Sequence, residues 1–217
     1  MKNRRFRTML VAVLALSIVS SSVCLSFGAS PKISKAYDVI KKGKYVYCCA
    51  YNGIYRVNIK TGGKKRIVKE KAPGIHRPSS MVLYKGYLYY IDEAVIGASL
   101  YRVKTTGKNK KFLASVYNFA VKKSGIYYTA PNRDFDKVVK RKMKLNGKNK
   151  RKSAYRVKTK YKRSNNRGYY VKDKVTVLSK EYDYELEGYW KKTRTDEYLI
   201  TPSNRIKLCS YTDDDFD

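Results

Sequence analysis

The sequence is short of the residues on which most catalytic and metal sites depend. It contains one histidine, His76, four cysteines and one tryptophan. A zinc site built on several histidines is therefore excluded, and a serine triad could use only His76. There is also no phosphate-binding loop ahead of a helix and no nucleophile-elbow motif. The sequence predicts a protein that is not an enzyme, with no cofactor and no metal.

Acidic residues are scarce as well. The chain has 17 Asp and Glu against 49 Lys and Arg, a net charge of +32. Residues 30–172 hold 38 basic and 6 acidic side chains, whereas residues 173–217 hold 7 and 11. A field of this kind attracts polyanions. The alternative is that the lysines only keep exposed strand faces soluble and strand edges unpaired.

The first 29 residues have the organisation of a signal peptide with a signal helix. Basic residues precede an apolar run from Met9 to Val19, and small residues occur over Ser17–Ser22 and again at Gly28-Ala29. We expect export and cleavage near Gly28, which leaves a secreted or cell-surface protein. The alternative is an uncleaved segment, which would be the chain's contact with a membrane.

Three cysteines remain after this cleavage: Cys48, Cys49 and Cys209. An odd number leaves at least one thiol without a partner in the same chain. Cys48 and Cys49 are adjacent in a strand-like run, so they should point to opposite faces, and only one of them can face Cys209. We favour three buried thiols over a disulfide scaffold, which would carry more cysteines.

A repeat of about 40 residues organises the middle of the chain. Gly43, Gly86 and Gly125 each precede a tyrosine-rich run, and a second strand-like run with a polar turn follows in each copy. Gly168 opens a fourth, degenerate copy. Tyrosine, valine and isoleucine favour strands, and each leading glycine suits a hairpin turn that needs positive φ. Several strands per repeat of this length are typical of propeller blades.

The segment Leu88–Asp92, with Leu100–Val103 and the turn after it, resembles the Tyr-Trp-Thr-Asp repeats of low-density-lipoprotein-receptor-type propellers. The chain is more similar still to a bacterial exported family of propeller-like repeats whose function is unassigned. The resemblance covers residues 37–152. It implies blades of four strands, six to a ring. Three clear copies do not fill such a ring, so we expect an open array, an assembly of several chains or a shortened relative.

The sequence therefore predicts an all-β protein with propeller-like antiparallel blades over residues 30–153. A β-rich C-terminal unit follows over 154–211, and then an acidic tail over 212–217 that we expect to be frayed. Within the C-terminal unit, the alternation from Glu181 to Glu187 predicts one strand with its acids on one face. Leu199–Leu208 predicts a final hairpin that turns at Pro202–Asn204.

The densest basic cluster is the candidate polyanion-binding site. It consists of Lys140, Arg141, Lys142, Lys144, Lys148, Lys150, Arg151 and Lys152. We expect a non-catalytic binding module at the cell surface whose partner is an anionic cell-wall polymer or a protein. Nucleic acid fits less well, because aromatic residues flank the cluster without interleaving. The alternatives are an assembly module whose incomplete blades pair with another chain, self-association included, and a secreted enzyme.

Overall fold

The structure is a computed structural model that describes residues 30–70, 77–94, 97–183 and 187–216. Within these ranges the chain forms sixteen strands and no helix, which confirms the all-β class. No helix there is long and apolar enough to cross a membrane. The expected signal helix and His76 lie outside the described residues. The strands are β1 (Lys32–Lys42), β2 (Tyr45–Ala50), β3 (Gly53–Asn58), β4 (Lys64–Lys69), β5 (Arg77–Tyr84), β6 (Tyr87–Ala94), β7 (Gly97–Lys104), β8 (Lys111–Ser115), β9 (Asn118–Lys122), β10 (Gly125–Pro131), β11 (Val138–Met143), β12 (Arg151–Lys152), β13 (Val157–Ser164), β14 (Tyr170–Asp183), β15 (Gly188–Ile200) and β16 (Arg205–Phe216).

The first twelve strands form three antiparallel units of four strands each. Consecutive strands pair within unit 1 (β1–β4), unit 2 (β5–β8) and unit 3 (β9–β12). Units 1 and 2 belong to one sheet, because Tyr37 of β1 pairs with Met81 of β5. These units are the three predicted repeats, and the fold is an open, propeller-like all-β array.

The glycine that leads each repeat lies at the first hairpin turn of its unit. Gly43 precedes β2 with φ +59° and Gly86 precedes β6 with φ +77°. Gly125 begins β10 with φ +130°, a conformation that L-amino acids with side chains rarely adopt. The expected positive φ at these turns is confirmed, and this is why the repeat is visible as a glycine spacing.

Tyrosine supplies much of the core. Tyr89, Tyr90 and Tyr128 are among the largest side chains that are fully buried. They come from the tyrosine-rich second strands of units 2 and 3 and pack among aliphatic residues of neighbouring strands. A buried tyrosine contributes a large apolar surface and keeps one polar end for a hydrogen bond. These tyrosines are therefore packing residues of the core.

The adjacent cysteines point to opposite faces of β2, as predicted. Cys48 packs in the same cluster as Cys209 and Leu208, whereas Cys49 packs in another cluster with Ile54. All three cysteines are buried free thiols. Burial raises the pKa of the Cys209 thiol to about 12, so this sulfur is protonated at neutral pH.

The last four strands are arranged differently from the repeats. β13 pairs in parallel with β1, from Lys32 opposite Val157 to Val39 opposite Ser164. β14, β15 and β16 form a separate three-stranded antiparallel sheet, and Gly168 precedes its first strand. β1 and β13 therefore belong to one sheet although they lie on opposite sides of the expected domain boundary at residue 153. Residues 31–217 form one compact unit.

Two expectations for this C-terminal part are corrected. The single strand expected over Glu181–Glu187 is wrong, because β14 ends at Asp183 and Glu187 has φ +53° in the turn before β15; residues 184–186 lie outside the described ones. The expected frayed acidic end is also wrong up to residue 216, since β16 continues to Phe216 and pairs with β15. The predicted hairpin turn at Pro202–Asn204 is confirmed between β15 and β16.

Candidate polyanion-binding site

The eight predicted basic residues lie in the last two strands of unit 3 and the turn between them. Arg141 pairs with Lys152 and Lys142 pairs with Arg151 across β11 and β12. Because strand side chains alternate, β11 sends Lys140 and Lys142 to one face and Arg141 to the other. The cluster that is continuous in sequence is therefore divided between two faces.

Lys142 lies on a face where two lysines contact a pair of tyrosine rings. Its Nζ is 5.0 Å from the ring centroid of Tyr127, its cross-strand neighbour on β10. The Nζ of Lys32 is 4.1 Å from the ring of Tyr155 and 5.6 Å from that of Tyr127. The two rings meet edge to face at 5.3 Å. Two ammonium groups are thereby held beside a pair of aromatic rings.

Tyr127 is also tied to the hairpin turn between β9 and β10. The Ser124 hydroxyl lies 2.9 Å from the Tyr127 hydroxyl. This hydrogen bond, together with Lys142 and Lys32, lowers the pKa of the Tyr127 phenol. The hydrogen bond from Ser124 and the two nearby ammonium groups therefore stabilise the ionised phenol, against the opposing effect of burial.

Three concave surfaces meet at Ser124 and together form what we call the basic groove. Their volumes are about 530, 210 and 730 Å³. Its basic lining side chains are Lys32, Lys85, Arg102, Lys122, Lys123, Lys142, Lys144 and Arg151. No carboxylate of the described residues lines any of the three surfaces.

The wall of the groove between units 2 and 3 is fixed by hydrogen bonds to one carbonyl. The Tyr89 hydroxyl and Arg102 Nη1 each donate to the Leu145 carbonyl oxygen at 3.2 Å. The Arg102 guanidinium lies 4.9 Å from the ring of Tyr87. This part of the surface is therefore preorganised by groups from both units, and loop lysines surround it.

The groove contains three of the eight predicted residues: Lys142, Lys144 and Arg151. Lys140, Arg141, Lys148, Lys150 and Lys152 do not line it. Sequence reasoning missed the lysines of other strands and turns. One signal was present, because Lys85 directly precedes Gly86 and Lys122–Ser124 directly precede Gly125 at the repeated hairpin turns.

A separate concavity of about 360 Å³, outside the basic groove, is lined by charges of both signs. Its lining includes Asp38, Glu93 and Asp173 together with Arg77 and Arg163. Ser79 Oγ donates to Glu93 at 2.6 Å, and the Ser80 N–H donates to Asp38 at 3.2 Å. Burial raises the pKa of Asp38, against the opposing effects of this N–H and of Arg77. We call it the mixed-charge cleft.

No group of three or more His, Cys, Asp or Glu side chains could hold a metal ion in the part of the chain that the structure describes. The single histidine falls in the undescribed segment 71–76. Lys and Arg dominate the charged lining of the groove, which gives it a positive electrostatic potential.

Comparison with known proteins gives a coarse result. No family model and no curated protein matches the chain. Among solved structures, an oligogalacturonate lyase in complex with manganese aligns at a TM-score of 0.38 and 11% identity, over 77% of this chain and 50% of that one. The N-terminal domain of Nup159 aligns at 0.38 and 14%, over 78% and 47%.

A third similar structure is a chain from the S. cerevisiae complex of a Dbp5 variant with Nup159, a Gle1 variant, IP6 and ADP. It aligns at a TM-score of 0.39 and 12% identity, over 82% of this chain and 46% of that one. The chain thus spans about half the length of the solved structures it resembles. The likeness concerns the fold and assigns no activity.

Proposed function

We propose that this protein is an exported binding module that holds an anionic polymer in the basic groove without chemically changing it. The observation that supports the proposal is the composition of the groove. Eight basic side chains line it, and no carboxylate of the residues that the structure describes does so. At a finer level, we propose that the repeats are related to the Tyr-Trp-Thr-Asp propeller repeats.

A polymer suits this surface better than a single small anion. The charges are distributed over three adjoining concavities instead of converging on one enclosed cavity. Successive phosphates or carboxylates of an extended chain can each meet a lysine or arginine along such a groove. Attraction of this kind between exposed charges weakens as salt screens it.

The test is binding to a purified cell-wall polymer of repeating phosphodiesters, and to polygalacturonate as a carboxylate polymer, across a salt series. The groove variant is Lys32→Glu with Lys142→Glu. The control is Lys108→Glu with Lys158→Glu, which changes the net charge equally at exposed positions that do not line the groove. We expect the groove variant to bind about tenfold or more weakly at low salt, and the control to change much less.

Equal losses in both variants would reduce the effect to net charge and contradict a defined groove. No binding of the wild-type chain to either polymer at low salt would overturn the proposal. The length of the polymer is measured in the same samples. Shortening by the wild-type chain would instead favour the enzyme alternative, with the mixed-charge cleft as its first candidate site.

Export is tested separately by the N-terminus of the protein recovered outside the cell. Cleavage after Gly28 predicts a mature chain that begins at Ala29. N-terminal sequencing or intact mass of the secreted form checks this. Recovery of the full-length chain only inside cells would contradict export, while recovery from the membrane with Met1 retained would indicate an uncleaved anchor.

A further inference from the structure

The edge of the C-terminal sheet is a long exposed strand. From Lys172 to Tyr182 every residue of β14 is exposed. In the described part of the chain β14 pairs with β15 and with no other strand. Its centre, Val175 to Leu178, has three apolar residues and one threonine. A long exposed edge with an apolar centre presents unpaired N–H and C=O groups and favours pairing with another strand.

A β-bulge divides this edge into two halves. Val177 pairs with Thr193 and Ser179 pairs with Lys192, so Leu178 is the extra residue. Beyond the bulge the alternation of side chains is reversed with respect to the residues before it. Odd-numbered residues before it, such as Val177, therefore share a face with even-numbered residues after it, such as Lys180.

We infer that two copies of this chain pair antiparallel through β14, with Val177 of one copy opposite Leu178 of the other. In this register each pair joins a residue from the first half of β14 in one copy to a residue from the second half in the other copy. Because the alternation reverses at the bulge, the two facing side chains lie on the same side of the sheet. It also places Lys174 opposite Glu181, and the two-fold symmetry forms that pair twice. The two sheets become one continuous sheet of six strands.

The charge pattern of the edge supports this register over its neighbours. A shift by one residue in one direction brings Lys174 opposite Lys180, and a shift in the other direction leaves Glu181 opposite Val175. Either shift also moves facing side chains to opposite sides of the sheet. Edge lysines that would repel a foreign strand are thus compatible with this one partner.

The paired centre also covers apolar surface. Val175, Val177 and Leu178 are 61%, 52% and 51% exposed in the single chain. In the inferred register, Val177 of each copy contacts Leu178 of the other copy, so this apolar contact forms twice. The inference does not depend on the proposed function, because the groove is formed by units 2 and 3 and by β1.

The experiment measures the dissociation constant of the dimer by sedimentation velocity over a concentration series. Lys174→Glu places two pairs of glutamates face to face, and Glu181→Lys places two pairs of lysines face to face. We expect each substitution to weaken dimerisation by roughly tenfold or more. The double variant restores opposite charges and should recover most of the wild-type affinity.

Lys108→Glu is the matched control, since it makes the same charge change as Lys174→Glu on an exposed turn. Thermal unfolding of each variant at low concentration reports whether the monomer itself is intact. A wild-type chain that stays monomeric at all concentrations overturns the inference. So do single variants that dimerise like the control, or a double variant that remains as weak as the singles.

Discussion

Replacing Gly125 by alanine should destabilise the fold by roughly 3 kcal/mol or more, which combines backbone strain with overpacking. A Cβ built on Gly125 would lie 2.5 Å from the Met143 carbonyl oxygen on the neighbouring strand. That oxygen belongs to the backbone of β11, so it cannot move aside as a flexible side chain would. The backbone of Gly125, with φ +130°, adds to the cost.

Gly43 provides the matched control, because it leads the first repeat as Gly125 leads the third. A Cβ at Gly43 would meet nothing within 4 Å, and its φ of +59° is in the left-handed region. Alanine there should cost about 1 kcal/mol, from the conformation alone. Chemical denaturation of both variants checks the difference. Equal losses would mean that the third hairpin shifts to accommodate the methyl group, contrary to the expectation.

The repeats could be predicted because their turns need a special backbone. Positive φ at Gly43, Gly86 and Gly125 favours glycine at each turn, so the spacing of one residue type reveals three units. The strands between the turns carry β-branched and aromatic residues for the same local reason. Local chemistry thus determined most of units 1 to 3.

The C-terminal sheet was harder to predict because its limits depend on strand pairing. The alternation from Glu181 to Glu187 matches a strand, yet the pairing of Tyr182 with Tyr189 and of Asp183 with Gly188 ends the described strand at Asp183. The acidic end was expected to be frayed. It is a strand because β15 offers a pairing edge, with Lys192 at the register position opposite Asp214.

The basic groove could be predicted only in part, for a geometric reason. Lys32 and Lys142 flank the same tyrosine ring although 110 positions separate them in the sequence. A scan for charge density along the chain finds β11 and β12, but it cannot find a lysine that β1 brings beside them. The same scan includes Arg141, which strand alternation places on the other face.

The stability of the fold should fall as the pH rises through the pKa of Glu197. This carboxylate is on β15 and is fully buried, at 0% exposure. Its Oε2 accepts hydrogen bonds from the Tyr51 N–H at 2.6 Å and the Cys209 Sγ at 3.1 Å, and its Oε1 lies 3.5 Å from Arg77 Nη2. Burial raises the pKa of Glu197, and these partners together with Arg77 oppose the rise without cancelling it.

A raised pKa means that the folded chain binds this proton more tightly than the unfolded chain does. Below the ordinary glutamate pKa of 4.5, both states are protonated and the contribution of Glu197 to stability is fully present. As the pH rises from there through the raised pKa, the unfolded state gives up its proton first and unfolding becomes easier. Asp38, whose pKa burial also raises, contributes in the same direction.

Glu197→Gln isolates the part that belongs to this residue. Glutamine keeps a carbonyl oxygen for the Tyr51 N–H but cannot ionise, so the variant should lose the Glu197 share of the decline. The difference in the free energy of unfolding between wild type and variant is measured by urea denaturation across the pH range. As the pH rises above 4.5, the free energy of unfolding of the variant should increase relative to that of the wild type, because only the wild-type chain must then bury a charge.

Arg77 gives the complementary test, because its guanidinium stabilises the ionised form of Glu197 from a partly exposed position. Arg77→Ala should raise the pKa of Glu197 further and steepen the loss of stability at neutral pH. In the Glu197→Gln background the same substitution should have a much weaker pH dependence, since no charge remains at position 197. Parallel pH profiles of the wild-type and Glu197→Gln chains would contradict the assignment. They would mean that Glu197 ionises in the folded chain as readily as in the unfolded one.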